Sequence, residues 1–573
     1  MNKNNNRKGE GKDYKSNSSK RKRKYNTKSD TRTRCDEGKI SRKSDREANG
    51  EKFYEAGSSP NMKNPNIKSE RNDASWYTYS PDILRVATAV NFNQAIGVPY
   101  TDEPMTMNEA GDIKLWPTTP SLLTLAWTPV PGMALPVGSR NNTNSPVNLQ
   151  MRSLYSLIQA TVTQNLPFAA ADLGIHLMFM DSVFTFWGHL QRFYYLYRVY
   201  KSMNRTLPRV FFNAYRLNPD NLVVDGYDIA DFQADMLSLQ QEMRRIAVPD
   251  GFDVLNRHYW LSKHVFKDDD VVRSQLYMFV PDALWHFNAE GTTGGELELK
   301  SIPSFAETGI KGMVSYFRSL LTSYYNDVDI WNLNGYLLRA FSKFWMADDF
   351  QLDAIYEPQY VPEVLMQIHN ANPVGPCVNS GPFYGTFGII YQDSMDNIVC
   401  EPAALINNLY PVEAGGIVDR RIFFDMPTDT PTEGDIMVAS RLISRGYYYL
   451  YNGEIPMYRL QAFGTEIVNY IIIDDGVNYQ TTPERFDRVV PWGIDIFDEG
   501  QAGIICKQKT IYDLSLLSNF KSAPLYPLTV PGENGADRWV NYIGDIRNYV
   551  VFDVDVLYKL HDAAAMGEWY IKQ

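Results

Sequence analysis

The residues of this 573-residue chain best suited to chemistry are two runs of carboxylates, a spaced pair of histidines, a glycine-rich turn and one Asn-Pro bond. Asp268-Asp269-Asp270 and Asp474-Asp475 could offer oxygen ligands to a divalent cation, but neither has the spacing of an EF-hand loop. With Lys267 before it and Val271-Val272 after it, the first run reads as a solvated loop or a helix start; a weak cation site is the alternative. No two of the seven histidines stand four residues apart, so no helix face presents a zinc pair. His258 and His264, with Trp260 between them, read as structural. Gly291-Thr292-Thr293-Gly294-Gly295 has the composition of a phosphate cradle. However, the Gly-Lys pairs, Gly11-Lys12 and Gly38-Lys39, sit in no P-loop motif, and no GxSxG elbow occurs. The run therefore reads as a surface turn. Neither a catalytic constellation nor a metal or cofactor site emerges, which points away from conventional enzymes.

Asn64-Pro65 is a different case. Proline has no N–H, so ring closure through the following nitrogen is blocked. The Asn64 side-chain nitrogen could instead attack its own carbonyl and split the chain at Pro65. Residues 1–64 hold 19 Lys+Arg and 9 Asp+Glu, so that cut would free a peptide of net charge +10. An ordinary Asn-Pro turn is the other reading.

The strongest chemistry lies in bulk charge. Residues 1–46 contain 17 Lys+Arg and 6 Asp+Glu, a net of +11, whereas the whole chain is at −11, leaving −22 on residues 47–573. Lys20-Arg21-Lys22-Arg23-Lys24 is the densest stretch, followed by Arg32 and Arg34, and no Leu, Val, Ile, Phe or Trp precedes Ile40. A segment so poor in apolar surface cannot offset the ordering cost of about 1–2 kcal/mol per residue, so residues 1–73 are predicted to be a disordered basic arm and linker. Its expected partner is a polyanion, because Lys and Arg displace counterions from phosphate whatever the base sequence. A nuclear localisation signal or a solubilising tail would share this composition. With Tyr14 and Tyr25 the only rings in residues 1–46, stacking on single-stranded bases is weakly supported.

The remaining chain must supply a body. Hydrophobic residues make up 44% and aromatics 13%, enough for a large core, extensive subunit interfaces, or both. Cys35, Cys377, Cys400 and Cys506 form no CxxC and read as free thiols in a reducing compartment. No charged segment followed by an apolar one opens the chain, so no secretory signal is expected. The most apolar window, Leu166 to Trp187, is broken by Asp172, His176 and Asp181, so no membrane span is expected.

Residues 80–145, rich in Pro, Asn and Thr, read as irregular chain pinned by rings and prolines. Met151, Leu154, Tyr155, Leu157, Ile158 and Val162 form a helical stripe. Residues 181–203 predict a helix apolar on nearly all sides, ended by Pro208. A further helix over 228–248 is N-capped by Asp228 and stopped by Pro249-Asp250-Gly251. A strand at 275–280, helices near 309–325 and 330–345, a break at Pro358 and Pro362 and a helical turn at 364–369 follow. From about residue 372 turn clusters separate short strands, among them 446–451, 457–463, 467–473 and 502–506. A helix over 554–566 closes the chain. The division expected is an arm and linker (1–73), a mainly helical domain (74–371), a β-rich domain (372–545) and a helical segment (546–573). The fold class is therefore α+β.

This layout resembles the picobirnavirus capsid protein. The resemblance rests on the layout and on the texture of Phe186-Trp187-Gly188-His189-Leu190-Gln191-Arg192-Phe193-Tyr194-Tyr195 and Thr430-Pro431-Thr432-Glu433-Gly434-Asp435-Ile436-Met437-Val438-Ala439-Ser440-Arg441-Leu442. It implies a predominantly helical shell domain, a β-rich projecting part to which residues 546–573 do not belong, and removal of the N-terminal segment by self-cleavage. It implies capsid dimers in an icosahedral shell around double-stranded genomic RNA, with the viral polymerase as a further partner and no cofactor. The places implied are the virion and, during assembly, the host cytoplasm. Composition and layout alone also admit a structural or attachment protein of another virus or phage, a nucleic-acid-processing enzyme with a dispersed site, or a nuclear scaffold.

Overall fold

The computed structural model describes residues 122–132, 142–373, 388–402, 421–474, 489–490, 494–495, 516–530 and 538–571, less a few positions inside these ranges. The described residues from Leu122 onward belong to one compact unit; before residue 95 only Pro81, Arg85 and Ala87, all helical, are described, and they belong to a separate one. The basic residues Lys20, Arg21, Lys22, Arg23, Lys24, Arg32 and Arg34 lie outside the described residues, as do Asn64 and Pro65.

The body begins with a correction. Leu122–Pro129 (β1), inside the stretch expected to be irregular, is an eight-residue strand with every residue buried. The prolines that suggested irregular chain frame it: Pro120 precedes it, and Pro129 and Pro131 stand at its end, where ladder donors are not needed. Pro146–Val162 (α1) follows, with Pro146 in its first turn and Met151, Leu154, Ile158 and Val162 on the buried stripe. Ala170–Ser202 (α2) runs 33 residues, and side chains from Ala171 to Leu196 are buried almost without interruption. It starts earlier than expected because Asp172, His176 and Asp181 find partners instead of breaking it. Pro208 does not end a helix either. It lies in the first turn of Thr206–Ala214 (α3), where its missing N–H costs nothing.

Ile229–Met243 (α4) is capped as expected: Asp228 accepts from the N–H groups of Ala230 and Asp231, and Asp231 reaches back to the Asp228 N–H. It stops at Met243, short of Val248. Asp253–Lys263 (α5) was missed, since its charged residues mask the buried Val254, Leu255, His258, Tyr259 and Leu261. Strands Val265–Lys267 (β2), Leu276–Pro281 (β3), Ala283–Asn288 (β4) and Glu296–Ser301 (β5) come next. β4 and β5 pair antiparallel from Ala283↔Ser301 to Asn288↔Glu296; of the glycine-rich run between them in sequence, Gly291, Thr292, Thr293 and Gly294 lie outside the described residues. Gly309–Tyr325 (α6), Val328–Ala340 (α7) and Pro362–Asn370 (α8) complete the first helical group. Pro362 starts α8; it does not break it.

Beyond residue 372 the described elements are Gly388–Gln392 (β6), Ile398–Pro402 (β7), Arg421–Met426 (β8), Glu433–Ala439 (α9), Arg445–Tyr451 (β9), Ile455–Ala462 (β10), Glu466–Asp474 (β11), Val489–Val490 (β12), Ile494–Asp495 (β13), Tyr526–Val530 (β14), Arg538–Ile543 (β15), Asn548–Asp553 (β16) and Val554–Glu568 (α10). The expected strand at 502–506 lies outside the described residues. Helices and sheets together make a mixed α+β fold.

Strands far apart in sequence share sheets. The five-stranded sheet runs β12-β11-β1-β3-β2, with β1 antiparallel to β11 and parallel to β3. A four-stranded antiparallel sheet runs β4-β5-β6-β7. Period-two alternation splits the five-stranded sheet between two cores. Leu123, Leu125, Trp127, Tyr277 and Phe279 face one cluster with Leu517 and Phe520, whereas Leu276, Met278 and Val280 face the larger one built on α2. Helices α2 and α5 meet at Gly188, where a Cβ would stand 2.9 Å from the Tyr259 carbonyl oxygen. Only glycine permits that approach, and it sets the register of the charged groups described next.

Candidate functional sites

Six ionisable groups converge where α2, α5, β11 and α10 meet. His258 on α5 shares a proton with Asp181 on α2 at 2.7 Å, and its Nε2 lies 3.5 Å from Glu466 at the start of β11. Arg257 pairs with the same Glu466 and donates to Gln367 of α8 at 3.0 Å. Arg441, just past α9, donates to both carboxylate oxygens of Glu568 at 2.8 Å and lies 3.6 Å from Glu466. Thr465 donates to Glu568 at 2.8 Å. Three cations and three anions thus balance inside the protein.

Burial works against the charges of Asp181, Arg257, His258 and Glu466. It pushes the His258 imidazole down, but Asp181 on one side and Glu466 on the other raise it to about 9. Burial likewise pushes the Asp181 carboxyl up against the pull of His258; with two carboxylates flanking one ring, the proton sits on His258. Glu466 resists burial through Arg257, His258 and Arg441 and is held well below the usual carboxylate range. Asp181, His258 and Glu466 are essentially unexposed, so no substrate can reach them. What this arrangement can do is lock α10 and β11 onto α2. Breaking one partner of such a network leaves an uncompensated buried charge.

Arg192 performs a similar task without a carboxylate. Its guanidinium donates to Tyr215 Oη at 2.8 Å, the Phe279 carbonyl at 2.8 Å, the His264 carbonyl at 3.1 Å and His189 Nδ1 at 3.1 Å. His264 caps the C-terminal end of α5, so the negative end of that helix dipole serves as counter-charge. His189, stacked 4.1 Å from Tyr215, is held well below its ordinary value by burial and by Arg192. His264 is lowered to about 4 by burial and Lys263, and its ring makes no pair with His258.

The carboxylate runs are also accounted for. Asp268 is buried, not solvated; it accepts from Tyr277 Oη and from the Lys521 N–H at 3.0 Å, and burial raises its carboxyl. Asp269 pairs with Lys521 at 2.5 Å and Asp270 with Lys267 at 2.9 Å. The run therefore anchors the chain around residue 521 to the five-stranded sheet. Asp474 lies in β11 opposite Leu122, and Asp475 lies outside the described residues. Cys400 is buried in the larger core. Among the described residues no group of three or more His, Cys, Asp or Glu could hold a metal, and no helix is long and apolar enough to cross a membrane.

Sequence reading missed the six-membered network because Asp181 and Glu568 are hundreds of residues apart. A signal was present: Asp181 and Arg192 are charges inside a helix apolar on all sides, where an unpaired charge could not persist.

One surface contrasts with these interiors. Among the described residues β16 pairs with β8 alone, and Tyr549, Val550 and Val551 stand exposed on it.

A solved structure described as the X-ray crystallographic structure of the picobirnavirus capsid superposes with a TM-score of 0.66 at 16% identity, over 87% of this chain and 98% of that one. The fold is thus that of a viral coat protein. A curated relative, the capsid protein precursor of human picobirnavirus, is 24% identical over 544 residues, spanning 88% of this chain and 92% of the relative. The model of the family described as "Picobirnavirus, Capsid protein" matches residues 76–519, and the chain belongs to that family. Its role is structural, not enzymatic, and its place is the virion.

Proposed function

We propose that copies of this chain assemble, as dimers, into a closed icosahedral shell around double-stranded RNA, with residues 1–73 as a disordered arm on the RNA. The observation that carries this reading is the charge split: +11 on residues 1–46 against −22 on the rest. An acidic body avoids a phosphate-rich genome, while Lys20, Arg21, Lys22, Arg23, Lys24, Arg32 and Arg34 bind its backbone without reading sequence. A shell of at least ~60 copies carries at least ~660 arm charges, against roughly 3,400 phosphates in double-stranded RNA merely encoding this chain. The arms therefore tether RNA, and small cations neutralise most of it.

The shell domain we assign is residues 74–371, mainly helical, joined by 546–573. The projecting part is drawn from the β-rich 372–545. Strands β6 and β11, which pair with β5 and β1, and β7, which pairs with β6, belong on the shell side of that division. Cleavage at Asn64-Pro65 would free the arm after assembly, in keeping with the word precursor in the name of the human relative. Assembly in the host cytoplasm, with the viral polymerase enclosed, completes the reading.

The test is electron microscopy of the full-length protein beside a form lacking residues 1–73, with the nucleic-acid content of particles measured. Closed shells from both, with RNA only in the full-length ones, are expected. Soluble monomers from both would overturn the proposal. Mass spectrometry of protein from particles should find an N-terminus at Pro65; an intact first residue removes the cleavage.

A further inference from the structure

Strand β16 reads Asn548-Tyr549-Val550-Val551-Phe552-Asp553 and hydrogen-bonds to a single neighbour, β8. Its other edge faces no strand among the described residues. Tyr549, Val550 and Val551 are 62%, 49% and 48% exposed. Proteins normally protect such an edge with lysine, proline or a bulge, because unpaired N–H and C=O groups template pairing with another chain. β16 has no lysine and no proline, and its register with β8 is unbroken from Asn548↔Met426 to Asp553↔Arg421. The strand is also rigidly backed. Phe423 of β8 stacks on Tyr549 at 5.2 Å and on Tyr542 at 4.3 Å, while Phe552 packs edge-on against Phe424 from the opposite face.

We propose that this edge pairs with the same edge of a second copy, joining two β8–β16 sheets into one four-stranded sheet across a two-fold axis. The proposal rests on the assembly reading above and names one of its contacts. A two-fold axis normal to a sheet reverses strand direction and keeps each face on its own side, so opposed residues must come from the same face. Centred on Val550, the axis sets Val550 against Val550, Tyr549 against Val551, and Arg547 against Asp553. Tyr549, Val550 and Val551 then cover one another, Asn548 meets Phe552, and at each end Arg547, already paired with Asp545, comes opposite Asp553, whose carboxylate caps α10. The edge is therefore complementary to itself, which favours a second copy over an unrelated partner. Opposed Cα atoms in such a pair lie about 4.5–5.5 Å apart, within reach of a disulfide.

The experiment introduces one cysteine, Val550→Cys, in the full chain, with the wild-type protein as control. Val550 is exposed, so folding should be unchanged, and an unaltered melting temperature checks this. Assembled particles, mildly oxidised, should yield covalent dimers on a non-reducing gel where the wild type yields none. A second variant, Val550→Asp, should place two like charges face to face and reduce particle yield at least tenfold with the melting temperature held. Particles of the Val550→Cys variant that form normally, with the introduced thiol unlinked and open to maleimide, would overturn the edge contact and leave assembly standing. Wild-type protein that never forms particles would instead count against the assembly reading. An introduced thiol shielded in the monomer, with no dimer formed, would assign the edge to another segment of the same chain and overturn the proposal.

Discussion

Strands β1 and β16 are both short runs dominated by apolar and aromatic residues, yet they end in opposite environments. Every residue of β1 is buried, with β11 on one side, β3 on the other and a core against each face. Among the described strands β16 has one neighbour, and the side chains in the middle of the strand are about half exposed. The difference lies in topology: a strand inserted between others contributes to folding, whereas a strand left at an edge keeps its backbone donors and apolar surface for another molecule. In a protein that must fold first and assemble afterwards, the two strands divide those tasks.

The contrast can be broken most forcefully at β1. Trp127, unexposed and edge-on to His258 at 5.1 Å, couples the sheet to the charge network. Trp127→Ala should cost about 3–5 kcal/mol in urea unfolding, because the cavity sits in a core that cannot collapse around it. Glu466→Gln, next to β1 through the Pro129↔Glu466 pair, should cost about 3–5 kcal/mol by leaving the mostly buried Arg257 without its anion and His258 with Asp181 alone. A loss below about 1 kcal/mol would show the network to be incidental.

The pH dependence should follow the interior histidines. His258, raised to about 9 from an unfolded value near 6.5, stabilises fully below pH 6.5, and that contribution is lost as pH rises through 9. His176 and His561 run the other way. Burial holds them neutral, at about 4 and about 3, so the unfolded chain takes up protons first as pH falls below 6.5. Stability should therefore peak near pH 6.5 and fall on both sides, by at most about 1.4 kcal/mol per pH unit for each group. A flat profile from pH 5 to 9 would refute this assignment of protons. The smallest effect belongs to β16: Val551→Thr should change unfolding free energy by less than about 0.5 kcal/mol, since that side chain is half exposed. A loss comparable to that of Trp127→Ala would dissolve the distinction between the strands.

Much of this was legible beforehand, and the misses have definite causes. The helices near 146–162, 229–243, 309–325 and 554–568 were readable because amphipathic period and Asp caps are local signals. α5 was missed because Asn256, Arg257, His258 and Lys263 dilute its apolar period, and two of those side chains turned out to be network members. β1 was missed because prolines outside a strand look like prolines inside one until its neighbours are known. The role expected of the run holds for part of it: Asp270 is exposed and Asp269 half-buried, while Asp268 itself is claimed by Tyr277 and the Lys521 backbone, 253 residues away.

By itself, the sequence determined the cationic N-terminal arm, the helical stripes and their caps, the α+β class and the resemblance to a viral coat protein. Each follows from composition or from patterns a few residues long. Tertiary structure alone decided that β11 lies beside β1, that Asp181, Arg257, His258, Glu466, Arg441 and Glu568 neutralise one another, and that β16 has only β8 beside it among the described strands. Those outcomes depend on contacts between segments hundreds of residues apart, and no local periodicity encodes which buried charge will meet which, or which strand will be last in its sheet.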